Sequence, residues 1–177
     1  MDPIIRLRRE LHAIPEVSGQ EIKTKAMLMA FVKEHTELEL HHCGEGFYAA
    51  YRADKPTKGA IAFRADYDAL ALSDGGAGHL CGHDGHAAAL CGAALEVAKK
   101  APERDVIFLF QPAEETGEGA KACLELFEKE RIAEIYGAHN LPGFPLGQVV
   151  TRKGTFACAS RGVTLSFRGK ITHAAYP

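Results

Sequence analysis

The chain has no tryptophan, three methionines and no surplus of either charge, with 21 lysines and arginines against 23 aspartates and glutamates in 177 residues. Because the charges are mixed and no basic run or stripe stands out, a nucleic-acid or membrane surface is disfavoured and a small-molecule partner is expected. Long apolar runs are also missing. Ile4 and Ile5 are interrupted at once by Arg6, and no segment has the length of a membrane span or a secretory h-region. The expected address is the cytoplasm. Cysteine is present without a pattern: Cys43, Cys81, Cys91, Cys123 and Cys158 are odd in number and scattered, with no Cys-x-x-Cys, which argues against a disulfide-built scaffold. HExxH, GxSxG, P-loop and GxGxxG patterns are absent as well, so the common zincin, serine-hydrolase and nucleotide-binding readings lack their signatures.

What is present reads as an alternating α/β chain, long enough to bury roughly 70% of the surface its unfolded form exposes. Asp2 as N-cap and Pro3 at the first helical position open a short amphipathic helix carrying Ile4, Leu7 and Leu11 and ending before Pro15. A second helix is expected from Ser18, with Glu21 completing a capping box and Ile22, Met27, Phe31 and Val32 forming its apolar stripe. Two strand-like runs, 46–53 and 59–66, flank a turn-rich spacer that suits adjacent strands. The run 105–111 reads as a strand buried on both faces. Small residues from His86 to Lys100 imply a buried helix lying close over the sheet, and a further helix at 118–132 leads into a buried strand at 133–140. The order implies βαβ crossovers and a three-layer helix-sheet-helix α/β fold with a mostly parallel sheet. From Arg161, Val163, Leu165 and Phe167 alternate with polar residues as in a half-buried antiparallel strand, so a second, small α+β domain is expected over 160–177 beside a first domain over 1–159. That piece is too short to bury its own apolar face, and an N-terminal portion of a longer protein is inferred.

Four polar clusters fall after expected strands or at a helix entrance: 64–68 (RADYD), 80–86 (LCGHDGH), 111–115 (QPAEE) and 138–140 (AHN). Loops at the carboxyl ends of parallel strands converge on one crevice, so clusters distant in sequence can meet there. Cys81 and His83, two apart in an extended loop, share a side and can share an ion. A thiolate with an imidazole suits zinc, cobalt or nickel better than magnesium or calcium. Glu114 and Glu115 are adjacent in a turn and point different ways, so that one can bind metal while the other handles protons. His139 is a further candidate ligand at a strand end. Asp84 and His86 read as helix caps or as partners of the ligands, and one of Asp66 and Asp68 as the carboxylate that orients a ligand histidine. Two other readings stand beside this one: Cys81 as a nucleophile with His83 or His86 as its base, and an inert metal-binding fragment.

RRELHAIPEVSGQE, FRADYDAL, CGHDGHAAALCGAA, FQPAEETGEGA, HNLPGFPLG and GKITHAAYP occur in the order seen in metal-dependent amidohydrolases of the aminoacylase and carboxypeptidase type. The resemblance is to the branch containing hippurate hydrolases, N-acetyldiaminopimelate deacetylases and indole-3-acetyl-amino-acid hydrolases, and it spans almost the whole chain. It implies cleavage of N-acyl amino acids or small peptides by a catalytic domain holding two divalent ions, Zn, Mn, Co or Ni, and by an inserted lid domain that often makes homodimers. It also implies Cys81, His83, Glu115 and His139 as metal ligands, Glu114 as general base and His173 as the lid histidine that steadies the oxyanion. The stretch between RADYDAL and CGHDGH is shorter than is usual in that branch, and the final metal-binding histidine is missing.

Overall fold

The computed structural model describes residues 1–177 apart from 57, 160, 161, 172, 174, 176 and 177. It has two compact units, Met1–Asn140 and Leu141–Pro177.

The first unit is built in the expected three layers. Helix α1 (Pro3–His12) starts where Asp2 accepts hydrogen bonds from the amides of Ile4 and Ile5, and it buries Leu7 and Leu11. Helix α2 (Ile22–His35) buries Leu28, Phe31 and Val32. Strands β1 (Glu39–Cys43), β2 (Gly46–Tyr51), β3 (Ala60–Asp66), β6 (Val106–Gln111) and β7 (Ile132–Gly137) form one sheet in the order β1-β2-β6-β3-β7. Strands β4 (Leu70–Ala71) and β5 (Ala77–Gly78) make a small separate ladder. Helix α3 (His83–Lys100) joins β5 to β6, and two short helices, α4 (Gly119–Ala122) and α5 (Glu125–Lys129), lead to β7.

Strand β6 explains the layering. All six of its residues are buried. Val106, Phe108 and Phe110 meet α1, α2 and α3 in one core, while Ile107 and Leu109 meet Cys123 and Leu126 in the other. The rings of Phe47 and Phe110 stack at 4.5 Å between centroids. Small residues on α3 (Ala87, Ala88, Cys91, Ala94) are buried and let the helix approach the sheet closely.

Several local expectations are corrected. The runs at 46–53 and 59–66 are not neighbours, because β6 lies between β2 and β3, antiparallel to the first and parallel to the second. The α3 helix covers one face and the α4–α5 segment the other, and β6 and β7 lie on opposite sides of β3, an arrangement compatible with right-handed crossovers. The 118–132 helix is broken into two short ones, and α2 starts at Ile22, with the Glu21 side chain giving no cap and Ile22 itself exposed. Strand β7 is an edge, paired only with β3 among the described residues, so its side chains are mostly exposed rather than buried.

In the second unit, the strand expected around Val163, Leu165 and Phe167 is not formed, and all three side chains are exposed. The start of the expected 160–177 domain falls on residues outside those described. No helix among the described residues is long and apolar enough to cross a membrane.

Candidate metal centre

Strands β3, β6 and β7 run parallel, and their carboxyl ends deliver the polar clusters to one edge of the sheet, at the point where strand order reverses around β3. β3 ends in Asp66 and leads to Asp68, β6 leads to Glu114 and Glu115, and β7 leads to His139 and Asn140. Cys81 and His83 come from the entrance of α3. Gly82 between them has φ +92°, and a Cβ there would lie 2.8 Å from the Asn140 side-chain oxygen. Glycine is therefore required, and the turn it makes, rather than an extended backbone, sets Cys81 against His83.

Every residue expected as a metal ligand lies in this cluster. Cys81 Sγ is 3.4 Å from His139 Nε2. His83 Nε2 lies 3.7 Å from Glu115 Oε1, 3.8 Å from Glu114 Oε2 and 3.7 Å from Asp66 Oδ2. Three overlapping donor groups result: Cys81, His83 and His139; Asp66, His83 and His86; His83, Glu114 and Glu115. Within each, the donor atoms lie within 4.8 Å of one another. His173 belongs to the second unit, where its Nδ1 accepts the Ala175 amide.

The surroundings hold these side chains in place. Asp68 accepts from His83 Nδ1 at 3.1 Å through one carboxylate oxygen, and through the other from Ser18 Oγ at 2.7 Å and the Glu115 amide at 3.0 Å. Proton donation from Nδ1 leaves Nε2 as the lone-pair nitrogen, facing the other donors. Asp66 similarly accepts from His86 Nδ1 at 2.7 Å, while His86 Nε2 accepts the Asn140 amide at 3.2 Å. Both carboxylates thus orient a histidine, one more than expected. His86 has both ring nitrogens engaged and acts as a partner of the cluster. Asp84, fully buried, anchors the first turn of α3 to α1 through Arg8 Nε at 3.1 Å and His12 Nδ1 at 2.7 Å. Sequence reasoning passed over Arg8 and His12. Their i, i+4 spacing on α1, off the Leu7–Leu11 stripe, was the available signal.

The electrostatics are those of a cluster short of positive charge. Burial, then the Glu115, Glu114 and Asp66 carboxylates, push the Cys81 thiol up to about 11. Burial opposes the charged form of His83, but Asp68 and Asp66 outweigh it and raise the imidazole. At Asp68 burial is overcome by hydrogen bonds from His83, Ser18 and the Glu115 and Glu114 amides, which bring the carboxyl down to about 2. His83 Nε2 is buried with no hydrogen-bond partner among the described residues. An unpaired buried acceptor is costly, and a cation among sulfur, imidazole and carboxylate donors would relieve it. The donor set fits a divalent transition metal.

A mixed sheet whose parallel strands β3, β6 and β7 gather thiol, imidazole and carboxylate groups at their carboxyl ends defines an α/β protein with a candidate metal site. Comparison with known proteins narrows the class. Residues 62–176 match peptidase family M20/M25/M40. The whole chain is 34% identical to the N-acetyldiaminopimelate deacetylases of Listeria welshimeri and Bacillus licheniformis, covering 51% of each. Among solved structures it is similar to the Bacillus subtilis YXEP protein, described as a dinuclear metal-binding peptidase of the M20 family (TM-score 0.74, 33% identity, 81% of this chain and 44% of that one). It also resembles a putative aminohydrolase from methicillin-resistant Staphylococcus aureus (TM-score 0.70, 30% identity, 77% and 40%). The chain belongs to peptidase family M20/M25/M40. It spans about half the length of the curated relatives it matches.

Proposed function

We propose that this chain carries the metal-binding part of an amidohydrolase that cleaves the amide of N-acyl amino acids or small peptides. The single observation that carries this is the buried Nε2 of His83, without a hydrogen-bond partner among the described residues and surrounded by donor atoms from three separate βα units. Cys81, His83, Glu115 and His139 are the proposed ligands of two divalent ions, Zn, Mn, Co or Ni. When bound, such ions supply a water acidic enough to react near neutral pH and polarise the substrate carbonyl.

The protein groups do the rest. Asp68 and Asp66 fix the tautomers and orientations of His83 and His86. Glu114, more exposed than Glu115 and on the same turn, is the proposed general base. It takes a proton from water as the oxygen attacks the amide carbon, then passes that proton to the amine nitrogen as the C–N bond breaks, leaving a carboxylate and a free amino group. His173, in the second unit, is proposed to steady the oxyanion. A first domain over 1–159 with a lid beginning at 160, a homodimer formed through that lid, and a cytoplasmic address complete the proposal. The address is supported by five free cysteines, among them a thiol proposed as a ligand.

The nucleophilic-cysteine reading is opposed by the same geometry, since a thiol pushed up to about 11 by burial and then by the surrounding carboxylates is not activated at neutral pH. The test is metal analysis and hydrolysis of acetyl, benzoyl and indole-acetyl amino acids. Glu114→Gln should keep its metal and lose turnover by at least about 100-fold. Retained turnover removes Glu114 from its role, and absence of bound metal in the parent chain after exposure to zinc or cobalt ends the proposal.

A further inference from the structure

The Ser18–Glu21 stretch, read from sequence as a helix cap, is not used as one. Glu21 turns away from α2, and its Oε1 accepts the Ala113 amide at 2.8 Å, across 92 positions of sequence. Both partners are shielded, Glu21 at 7% exposure and Ala113 at 8%, so water is a poor substitute for this bond. Ala113 needs it. Its φ of +47° lies in the left-handed region, which an alanine enters only when its surroundings impose it.

The turn that follows is tightly closed. Gly119 donates to the Ala113 carbonyl and Gly117 to that of Glu114. Glu114 and Glu115 are the next two residues, and the Glu115 amide is itself held by Asp68, which Ser18 also contacts. The segment between α1 and α2 therefore grips the carboxylate-bearing turn at two points: Glu21 directly at Ala113, and Ser18 through Asp68 at Glu115.

We infer that Glu21 is a positioning residue for the candidate metal centre, fixing the Ala113 amide so that Glu114 and Glu115 face His83. The inference rests on the reading of Glu115 as a ligand, and it deepens that reading by assigning a role to a residue that touches neither ion nor substrate. Groups that orient ligands from behind typically change metal affinity by about 10- to 100-fold when removed. A carboxamide oxygen can accept the same N–H, so the role requires an acceptor of the right reach, not a charge.

The test uses the full chain with Glu21→Ala, Glu21→Gln and Glu21→Asp, read in two ways. Without metal, amide hydrogen exchange is followed over 112–119. Titration with cobalt(II) is followed by its visible bands and by the thiolate-to-cobalt charge-transfer band of Cys81. Glu21→Ala should exchange at least about tenfold faster over that segment alone and bind cobalt about 10- to 100-fold more weakly with altered visible bands, while Glu21→Gln stays within about threefold of the parent. If Glu21→Ala does not fold, Glu21→Asp replaces it, because one methylene less withdraws the acceptor while keeping the charge. Unchanged exchange in the Ala or Asp variant, or a Gln variant as impaired as these, overturns the inference. If the parent chain binds no cobalt, the metal reading fails while the exchange measurement still decides the role of Glu21.

Discussion

Replacing Asp68 by Asn gives the sharpest test of how the centre is held. The carboxylate has three acceptor duties: His83 Nδ1 and, at its other oxygen, Ser18 Oγ and the Glu115 amide. An asparagine keeps one acceptor oxygen and gains an NH2. If the NH2 faces Glu115, two donors meet; if it faces His83, two donors meet there instead, and Nδ1–H keeps only the main-chain carbonyl of residue 68, 3.0 Å away in the parent. Either way one charge-assisted hydrogen bond is lost, at a cost of about 1.5–3 kcal/mol. The depressed pKa expresses the same hydrogen bonds as a second figure. A folded value of about 2 against 3.8 for the free side chain corresponds to roughly 2.5 kcal/mol at neutral pH.

Because the folded pKa is lowered, that stabilisation is complete well above the unfolded value and is lost as pH falls toward the folded one. Close to half is gone by about pH 3. Urea unfolding of the parent and Asp68→Asn should therefore differ by about 2–3 kcal/mol at pH 7, with the gap narrowing by about 1 kcal/mol at pH 3. A gap under about 0.5 kcal/mol at pH 7, or one that does not shrink on acidification, would refute the argument.

Other expectations follow from the same geometry. The Cys81 thiol, pushed up to about 11, is protonated at neutral pH in the metal-free chain, so taking up an ion on sulfur must displace a proton. Zinc affinity measured against a chelator should rise roughly tenfold per pH unit between about pH 6 and 8, and Cys81→Ser should flatten that slope. Two glycines give opposite stability tests. A Cβ at Gly119 would lie 1.6 Å from the Pro112 carbonyl oxygen, so Gly119→Ala should cost more than about 3 kcal/mol or prevent folding. Gly85 in α3 has nothing within 4 Å of such a Cβ, and Gly85→Ala should leave stability unchanged or raise it by up to about 1 kcal/mol in thermal unfolding.

The sequence by itself determined the main helices and strands of the first unit and which polar clusters meet. Helical spacing marked α1 and the small-residue face of α3, an unbroken apolar run marked β6, and the rule that parallel strand ends converge brought together the clusters that hold Cys81, His83, Glu114, Glu115 and His139, while the choice between the two glutamates came from the family resemblance. These features are written in local periodicity, which a single strand or helix must satisfy whatever its neighbours are. Tertiary structure decided what depends on partners remote in sequence. Strand order placed β6 between β2 and β3, and β7 became an exposed edge because only β3 pairs with it among the described residues. Glu21 left its capping position for the Ala113 amide. Burial keeps water from that N–H, and a hydrogen bond made across the fold outweighs a cap that water can replace at a helix end.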